Sequence, residues 1–171
     1  EYMTSTVMNN PDELTIIALG PLTNIARCIQ QEPDFSRSVR KLIIMGGAIQ
    51  VPGNVTPFAE FNFYVDPEAA NIVLNSSVDI LLVPLDVTTK VILHPSSIKR
   101  AIDSSKKRNN KLLKFISEIT TFYSKIQEGL TGTQGCILHD PLAVGVHLKP
   151  DLIESQELQL MVKEGPPRKQ G

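Results

Sequence analysis

Residues 41–70, KLIIMGGAIQVPGNVTPFAEFNFYVDPEAA, join the pattern of a buried strand to the pattern of a helix. The opening letters, KLIIM, are a short apolar run, which is typical of a strand covered on both faces in a parallel sheet. Asp66 and Pro67 suit the N-cap and the first position of a helix. The connection that starts at Gly46 is far longer than the few residues that usually link a strand to a helix, so we expect a functional loop.

The loop carries three polar side chains that could bind hydroxyl groups: Asn54, Glu60 and Asn62. Amides and carboxylates donate to or accept from hydroxyls without acting as nucleophiles. This pattern favours a site for a sugar or another polyol. The alternative is a loop whose side chains bind only its own backbone, because Asn is common in turns for that reason. The residues alone leave both interpretations open.

The strands come from apolar runs that recur along the chain. They are Leu14 to Leu19, Lys41 to Met45, Val78 to Val87 with Pro84 marking its end or a bulge, and a last candidate from Leu158 to Val162. Helical patterns separate the first three runs. Such alternation predicts an α/β layered fold with a mainly parallel sheet flanked by helices and a Rossmann-like core. Ligands of such folds bind beyond the carboxyl ends of the strands. The segments at residues 18–26, 46–70 and 139–144 each follow an apolar run at that end, which predicts a single cleft.

The helices are predicted from caps, breakers and apolar spacing. The predicted helices run from Thr23 or Asn24 to about Gln31, from Pro67 to about Asn75, from Pro95 to Ser104, from Leu112 to Ile126 with Gly129 closing it, and from Leu142 to His147. The fourth has apolar residues at spacings of three and four, the strongest amphipathic pattern in the chain.

The length, charge and cysteine content of the chain limit the classes of function that it can have. The chain has 171 residues, 42% hydrophobic and 20% charged, with formal net charge −1, which fits one globular domain or most of one. The basic cluster of Lys106, Lys107, Arg108 and Lys111 fits a solvated loop, so no nucleic-acid partner is expected. No apolar run approaches a membrane span, so no membrane partner is expected either. Two cysteines without metal-ligand spacing favour a reducing, cytoplasmic location.

Three motifs in order resemble one known family. They are ALGPLTNIA at residues 18–26, GN-x5-E-x-N followed by VDPEAA in the central loop, and HDPLAV at residues 139–144. Together they resemble the nucleoside hydrolases that prefer inosine and uridine, over a span from about Leu14 to about Lys163. That family opens with an aspartate-rich motif, D-x-D-P-G-x-D-D, which this chain does not contain. We therefore expect residues 1–171 to be the central and later part of the family domain, without its first strands and its C-terminal end.

The resemblance implies hydrolysis of the N-glycosidic bond of ribonucleosides, as in nucleoside catabolism and purine salvage. Asn54, Glu60 and Asn62 match the family's ribose contacts, and His139 matches the acid that protonates the leaving base. The same resemblance implies a Ca²⁺ cofactor, with the Asp140 carboxylate and the Leu19 carbonyl as ligands. A small-molecule ribonucleoside is the expected partner, and a homo-oligomer is compatible with the resemblance.

Other interpretations of these residues stay open at this point. A His–Asp pair such as His139 and Asp140 is by itself more often a helix cap beside a surface histidine. A truncated, non-catalytic relative could keep the sugar-binding loop, and an unrelated α/β module could bind sugars. Asp86, His94 and His147 are expected to have structural or surface roles.

Overall fold

The computed structural model describes residues 1–104 and 110–163. The predicted basic residues Lys106, Lys107 and Arg108 therefore lie outside the described residues. The described residues divide into two compact units: the first comprises residues 1–86 and 140–163, and the second comprises residues 87–104 and 110–139. Among the described residues, no helix is long and apolar enough to cross a membrane.

The first unit contains the parallel sheet and the helices that cover it. Its elements are α1 (Tyr2–Asn9), β1 (Thr15–Ala18), α2 (Thr23–Gln31), α3 (Phe35–Ser38), β2 (Lys41–Met45), α4 (Phe61–Val65), α5 (Pro67–Leu74) and β3 (Ile80–Val83). A short helix, α6 (Leu85–Thr88), follows. Near the end of the described chain come α9 (His139–Leu148) and a 3₁₀ turn at Pro150–Leu152. Helices α1, α3, α4 and α6 are short elements that the sequence patterns did not predict. Helix α6 takes the place of the last part of the run from Val78 to Val87, and β3 covers only Ile80–Val83.

The three strands form a parallel sheet in the order β1-β2-β3, with Ile43 of β2 opposite Ile17 on one side and Leu81 on the other. Residues Leu42 to Met45 of β2 are all buried. An alternating polar residue has no place on a central strand that is covered on both faces, which explains the continuous apolar run. The predicted α/β fold with a parallel sheet is confirmed.

Helices α2 and α5 pack against each other in this unit. Asp66 links them, because its carboxylate accepts hydrogen bonds from the Thr23 hydroxyl and from the Ala69 backbone N–H, the latter at 3.0 Å. Asp66 is thus the N-cap of α5, as predicted. The prediction that Thr23 or Asn24 caps α2 is wrong: the N-cap is Leu22, without a side-chain cap, and the Thr23 hydroxyl is bound to Asp66.

The second unit consists of β4 (Ile92–Leu93), α7 (Pro95–Ser104), α8 (Asn110–Thr131) and β5 (Cys136–Ile137). Strands β4 and β5 pair antiparallel, and α8 packs on α7 and on β5. Helix α8 continues past Gly129, contrary to the prediction, and ends at Thr131. The next residue, Gly132, has φ +73° and donates its N–H to the Glu128 carbonyl at 2.9 Å, a helix ending that favours glycine.

The predicted strand from Leu158 to Val162 is wrong. These residues have no strand partner in the described part of the chain. Leu158 is 51% exposed and Met161 is 86% exposed, whereas Val162 packs, partly buried, against the core without pairing to a strand. An apolar run without a neighbouring strand cannot satisfy its backbone groups through a ladder.

Candidate functional site

The central loop is tied together by the carboxylate of Glu60, which is only 3% exposed. Its two oxygens accept hydrogen bonds from three backbone N–H groups, those of Gly47 at 2.9 Å, Asn62 at 2.9 Å and Phe63 at 3.2 Å. Two of these donors belong to the first turn of α4, so Glu60 is the N-cap of that helix. The third donor lies at the start of the loop. One side chain therefore joins the beginning of the loop to its end.

Gly47 is suited to its place beside this carboxylate. Its φ is +79°, in the left-handed region that residues with a Cβ rarely adopt. Its N–H donates to Glu60, while its carbonyl accepts from the Leu85 N–H at 2.9 Å. Both backbone groups of Gly47 are therefore used where the chain leaves β2.

Asn54 connects the middle of the loop to the first residue of α4. Its Oδ1 accepts from the Phe61 N–H at 2.9 Å, and the side chain is exposed. Its Nδ2 makes no hydrogen bond to any described residue. The amide group thus keeps a donor available to a ligand.

Asn62 is nearly buried, with 6% of its surface exposed. Its Nδ2 donates to the Met45 carbonyl at the end of β2, at 3.0 Å. Its Oδ1 makes no hydrogen bond to any described residue, which leaves an acceptor. The structure therefore brings Asn54, Glu60 and Asn62 together around Phe61. Glu60 binds the loop's own backbone, as the second interpretation expected, while Asn54 and Asn62 each keep one polar atom that could bind a hydroxyl.

Asp86 secures the first part of the loop. Its carboxylate accepts from the backbone N–H groups of Ile49 at 2.9 Å and Gln50 at 2.7 Å. The structural role expected for Asp86 is confirmed. The sequence indicated only that a carboxylate follows β3, and the partners, which lie 36 and 37 residues earlier, could not be identified from spacing.

Leu19 and Asp140 are the two residues that the sequence analysis assigned to a metal. Leu19 directly follows β1 and is 38% exposed. Asp140 is exposed in the first turn of α9. The helix predicted from Leu142 to His147 starts earlier than expected, because α9 begins at His139 and includes Asp140 and Pro141. Pro141 is tolerated there because the first turn of a helix does not use its N–H groups.

The described residues do not form a complete calcium site. They contain no group of three or more His, Cys, Asp or Glu side chains that could hold a metal. Calcium takes about 6–8 oxygen ligands. A carboxylate and a backbone carbonyl are the right kind of ligand for a hard cation, so Asp140 and Leu19 fit as contributors to a site that needs further oxygens.

His139 is positioned within the second unit by Thr88. The Nδ1 atom of His139 lies 2.8 Å from the Thr88 hydroxyl oxygen, at hydrogen-bond distance. Thr88 is fully buried at the end of α6. Sequence reasoning missed Thr88, because the one available signal was a hydroxyl residue a few positions after an apolar run.

The remaining candidate groups have no catalytic arrangement. Burial raises the pKa of the Cys136 thiol, so this cysteine is protonated near neutral pH and is a poor nucleophile. His94 lies before α7, where its carbonyl accepts from the Ser97 N–H at 2.9 Å. His147 is exposed in the last turn of α9.

Comparisons with known proteins identify the family to which the chain is similar. The family model described as inosine-uridine preferring nucleoside hydrolase matches residues 1–171. The pyrimidine-specific ribonucleoside hydrolase RihA of Citrobacter koseri is 37% identical over 158 residues, which cover 92% of this chain and 49% of that protein. Uridine nucleosidase 1 of Arabidopsis thaliana is 39% identical over 152 residues, which cover 89% of this chain and 44% of that protein.

Solved structures give the same result. The purine-preferring ribonucleoside hydrolase from Gardnerella vaginalis superimposes with a TM-score of 0.87 at 34% identity, over 96% of this chain and 52% of that one. The plant nucleoside hydrolase PpNRh1 gives a TM-score of 0.81 at 36% identity, over 90% of this chain and 47% of that one. The chain spans about half the length of the relatives that it matches.

The role of Glu60 as the tie of the loop can be tested by Glu60→Gln in the complete protein. The substitution removes the charge and places an NH₂ group against backbone donors. A hydrogen bond to a charged group contributes roughly 1.5–3 kcal/mol, so exchange of the Gly47, Asn62 and Phe63 amides should accelerate about tenfold or more. Hydrogen exchange read by NMR measures this directly.

The matched control is Glu68→Gln, at an exposed position in the first turn of α5. It should leave those three amides unchanged. Equal exchange in the Glu60 variant and the parent would show that the loop is held by something other than this carboxylate.

Proposed function

We propose, from the premise that this chain belongs to the inosine–uridine preferring nucleoside hydrolase family, that the complete protein hydrolyses ribonucleosides to ribose and free base. The observation that carries the proposal is the central loop, which is held by its own backbone contacts and still offers one amide donor and one amide acceptor. Such a pair can bind neighbouring hydroxyls of a sugar. A non-catalytic relative is not favoured, because the similar proteins are named as hydrolases and nucleosidases.

The proposed substrate is a small ribonucleoside, without commitment to one base. The similar proteins carry names that point in different directions: pyrimidine-specific, uridine and purine-preferring. Sugar recognition is the part that this chain's loop supports. A role in purine salvage is a narrower form of the same proposal. A cytoplasmic location is also proposed, since both cysteines are free thiols and a reducing compartment maintains them.

In the proposed reaction Asn54 and Asn62 hold the ribose. The Asn54 Nδ2 donates to one hydroxyl, and the Asn62 Oδ1 accepts from another. Glu60 keeps the three backbone amides in place, so its contribution to binding includes the order of the loop as well as any direct contact. Fixing these groups before the substrate arrives lowers the entropy cost of holding the sugar at the reacting position.

His139 is the proposed acid. Water bonds to the anomeric carbon and gives a proton to the general base that the resemblance assigns to the aspartate-rich motif. At the same time the carbon–nitrogen bond breaks, and its electron pair stays on the leaving base. Protonation of the base by His139 stabilises this leaving group. The positive charge that develops on the sugar is of the oxocarbenium type known for glycoside cleavage.

Asp140 and the Leu19 carbonyl are the proposed contributions of this chain to a Ca²⁺ site. When bound, such an ion lowers the pKa of a coordinated water and holds sugar hydroxyls. In the resemblance noted above, the further ligands and the general base belong to the aspartate-rich motif, which this chain does not contain.

The ribose role of Asn62 is tested by Asn62→Ala in the complete protein. Losing a hydrogen bond to a substrate hydroxyl should lower kcat/KM for inosine about 5- to 150-fold, corresponding to ~1–3 kcal/mol. Because Asn62 also binds Met45, the assay should include the 2′-, 3′- and 5′-deoxy analogues of inosine. For the analogue that lacks the contacted hydroxyl, parent and variant should agree within about twofold.

Asn9→Ala, an exposed change in α1, is the matched control and should behave as the parent. If the penalty of Asn62→Ala is the same for inosine and all three analogues, then Asn62 supports only the loop and does not contact the sugar.

The separate roles of His139 and Asp140 are tested by His139→Ala and Asp140→Ala on two substrates. Without its acid, the enzyme should lose about 10²- to 10⁴-fold in kcat on inosine and little on p-nitrophenyl riboside, whose leaving group needs no proton. The Asp140 variant should lose activity on both substrates, because both reactions need a positioned ribose and an activated water. It should also bind Ca²⁺ more weakly, as measured by calorimetry. A His139 variant that loses both substrates equally would contradict the acid role.

A further inference from the structure

A hydrogen bond joins the side chains of Thr88 and His139 within the second unit. The two atoms, Thr88 Oγ1 and His139 Nδ1, lie 2.8 Å apart although the residues are 51 positions apart in sequence. Thr88 has no exposed surface, and His139 is half-buried. A buried hydroxyl at this distance restricts rotation of the imidazole ring about its terminal torsion, which is otherwise broad.

The contact selects one of the two ring nitrogens. Thr88 contacts Nδ1, and the other ring nitrogen is Nε2. A threonine hydroxyl can donate one hydrogen bond and also accept, so this contact persists whichever ring nitrogen carries the proton. The partner of one nitrogen in a histidine decides which nitrogen is presented for chemistry.

We propose that Thr88 is a positioning residue for the reaction, which holds Nδ1 of His139 and so presents Nε2 as the atom that protonates the leaving base. This inference rests on the proposed function of His139. It goes further by assigning the proton-donating atom and the side chain that orients it. Thr88 itself does not touch the substrate in this proposal.

A purely structural role for Thr88 makes a different prediction. If the contact only satisfies a buried hydroxyl, its loss should lower stability and affect all substrates alike. If the contact orients the acid, its loss should lower kcat only where the leaving group needs a proton. The dependence on the leaving group therefore separates the two roles.

The test uses Thr88→Val and Thr88→Ser in the complete protein, with inosine and p-nitrophenyl riboside as substrates. Valine keeps the shape and removes the hydroxyl, whereas serine keeps the hydroxyl. Since a general acid contributes about 10²- to 10⁴-fold, misorienting it should lower kcat on inosine about tenfold or more, with KM unchanged. The activity on p-nitrophenyl riboside should stay within about twofold, and Thr88→Ser should restore most of the inosine activity.

Thr121→Val is the matched control, because the Thr121 hydroxyl donates to the Ser117 carbonyl within α8 and is exposed. It should leave both activities unchanged. Combining Thr88→Val with His139→Ala should add no further loss on inosine, because a residue that acts through His139 has no effect once the imidazole is gone. If Thr88→Val does not fold, Thr88→Ala gives the same comparison.

A spectroscopic measurement tests the contact independently of activity. In ¹⁵N–¹H spectra of the histidine rings, Thr88→Val should shift the Nδ1 resonance of His139 and leave the His94 and His147 rings unchanged. Thr88→Ser should return that resonance toward its position in the parent.

The outcomes are distinguishable from failure of the proposed function. If His139→Ala separates the two substrates and Thr88→Val does not, His139 remains the acid and the role of Thr88 is overturned. If His139→Ala does not separate them, the acid role and this inference both fail. An unchanged His139 ring spectrum in Thr88→Val would also overturn the inference.

Discussion

The buried carboxylate of Glu60 is the contact on which the central loop depends. A carboxylate removed from water needs hydrogen-bond donors, and here three backbone N–H groups supply them. Those donors come from both ends of the loop, so satisfying the charge also closes the loop. Gly47 is required at one end because its backbone lies in the left-handed region. Two further side chains hold the middle of the loop. Asp86 accepts from the N–H groups of Ile49 and Gln50, and Asn54 accepts from the N–H of Phe61.

This arrangement reconciles two interpretations that the sequence leaves open. Asn54 and Asn62 hold the loop's backbone through one atom of each amide, and the other atom of each makes no hydrogen bond to a described residue. Loop support and hydroxyl binding are therefore compatible uses of the same side chain. A site whose polar atoms are fixed before binding loses less conformational entropy when the ligand binds. Within the second unit, Thr88 holds the imidazole of His139 in a similar way, through a hydrogen bond to Nδ1.

The parallel sheet was predictable from sequence, and much of the loop was not. The KLIIM run indicates a strand buried on both faces, and Asp66-Pro67 indicates the start of α5, because both signals are local. The contact of Asp66 with Thr23 and that of Asp86 with Ile49 are set by tertiary packing, and no local pattern encodes such partners. The prediction of a strand from Leu158 to Val162 was wrong for the same reason, because a strand needs a neighbouring strand and apolar composition does not show whether one is present. The polar pattern of the loop favoured Asn54, Glu60 and Asn62 as a hydroxyl site. The roles of His139, Asp140 and Leu19 came from resemblance alone, and the site as a whole stays a proposal.

We expect the loop to be formed before the sugar binds and to hold the ribose through Asn54 and Asn62. The most direct measurement is a pair of crystal structures of the complete protein, one free and one with a non-hydrolysable ribonucleoside analogue. We expect Glu60 to keep its three backbone N–H donors in both structures, and Asn54 Nδ2 and Asn62 Oδ1 to lie within hydrogen-bond distance of ribose hydroxyls. A ribose bound without either amide, or a Glu60 that releases the backbone to admit the sugar, would contradict this expectation.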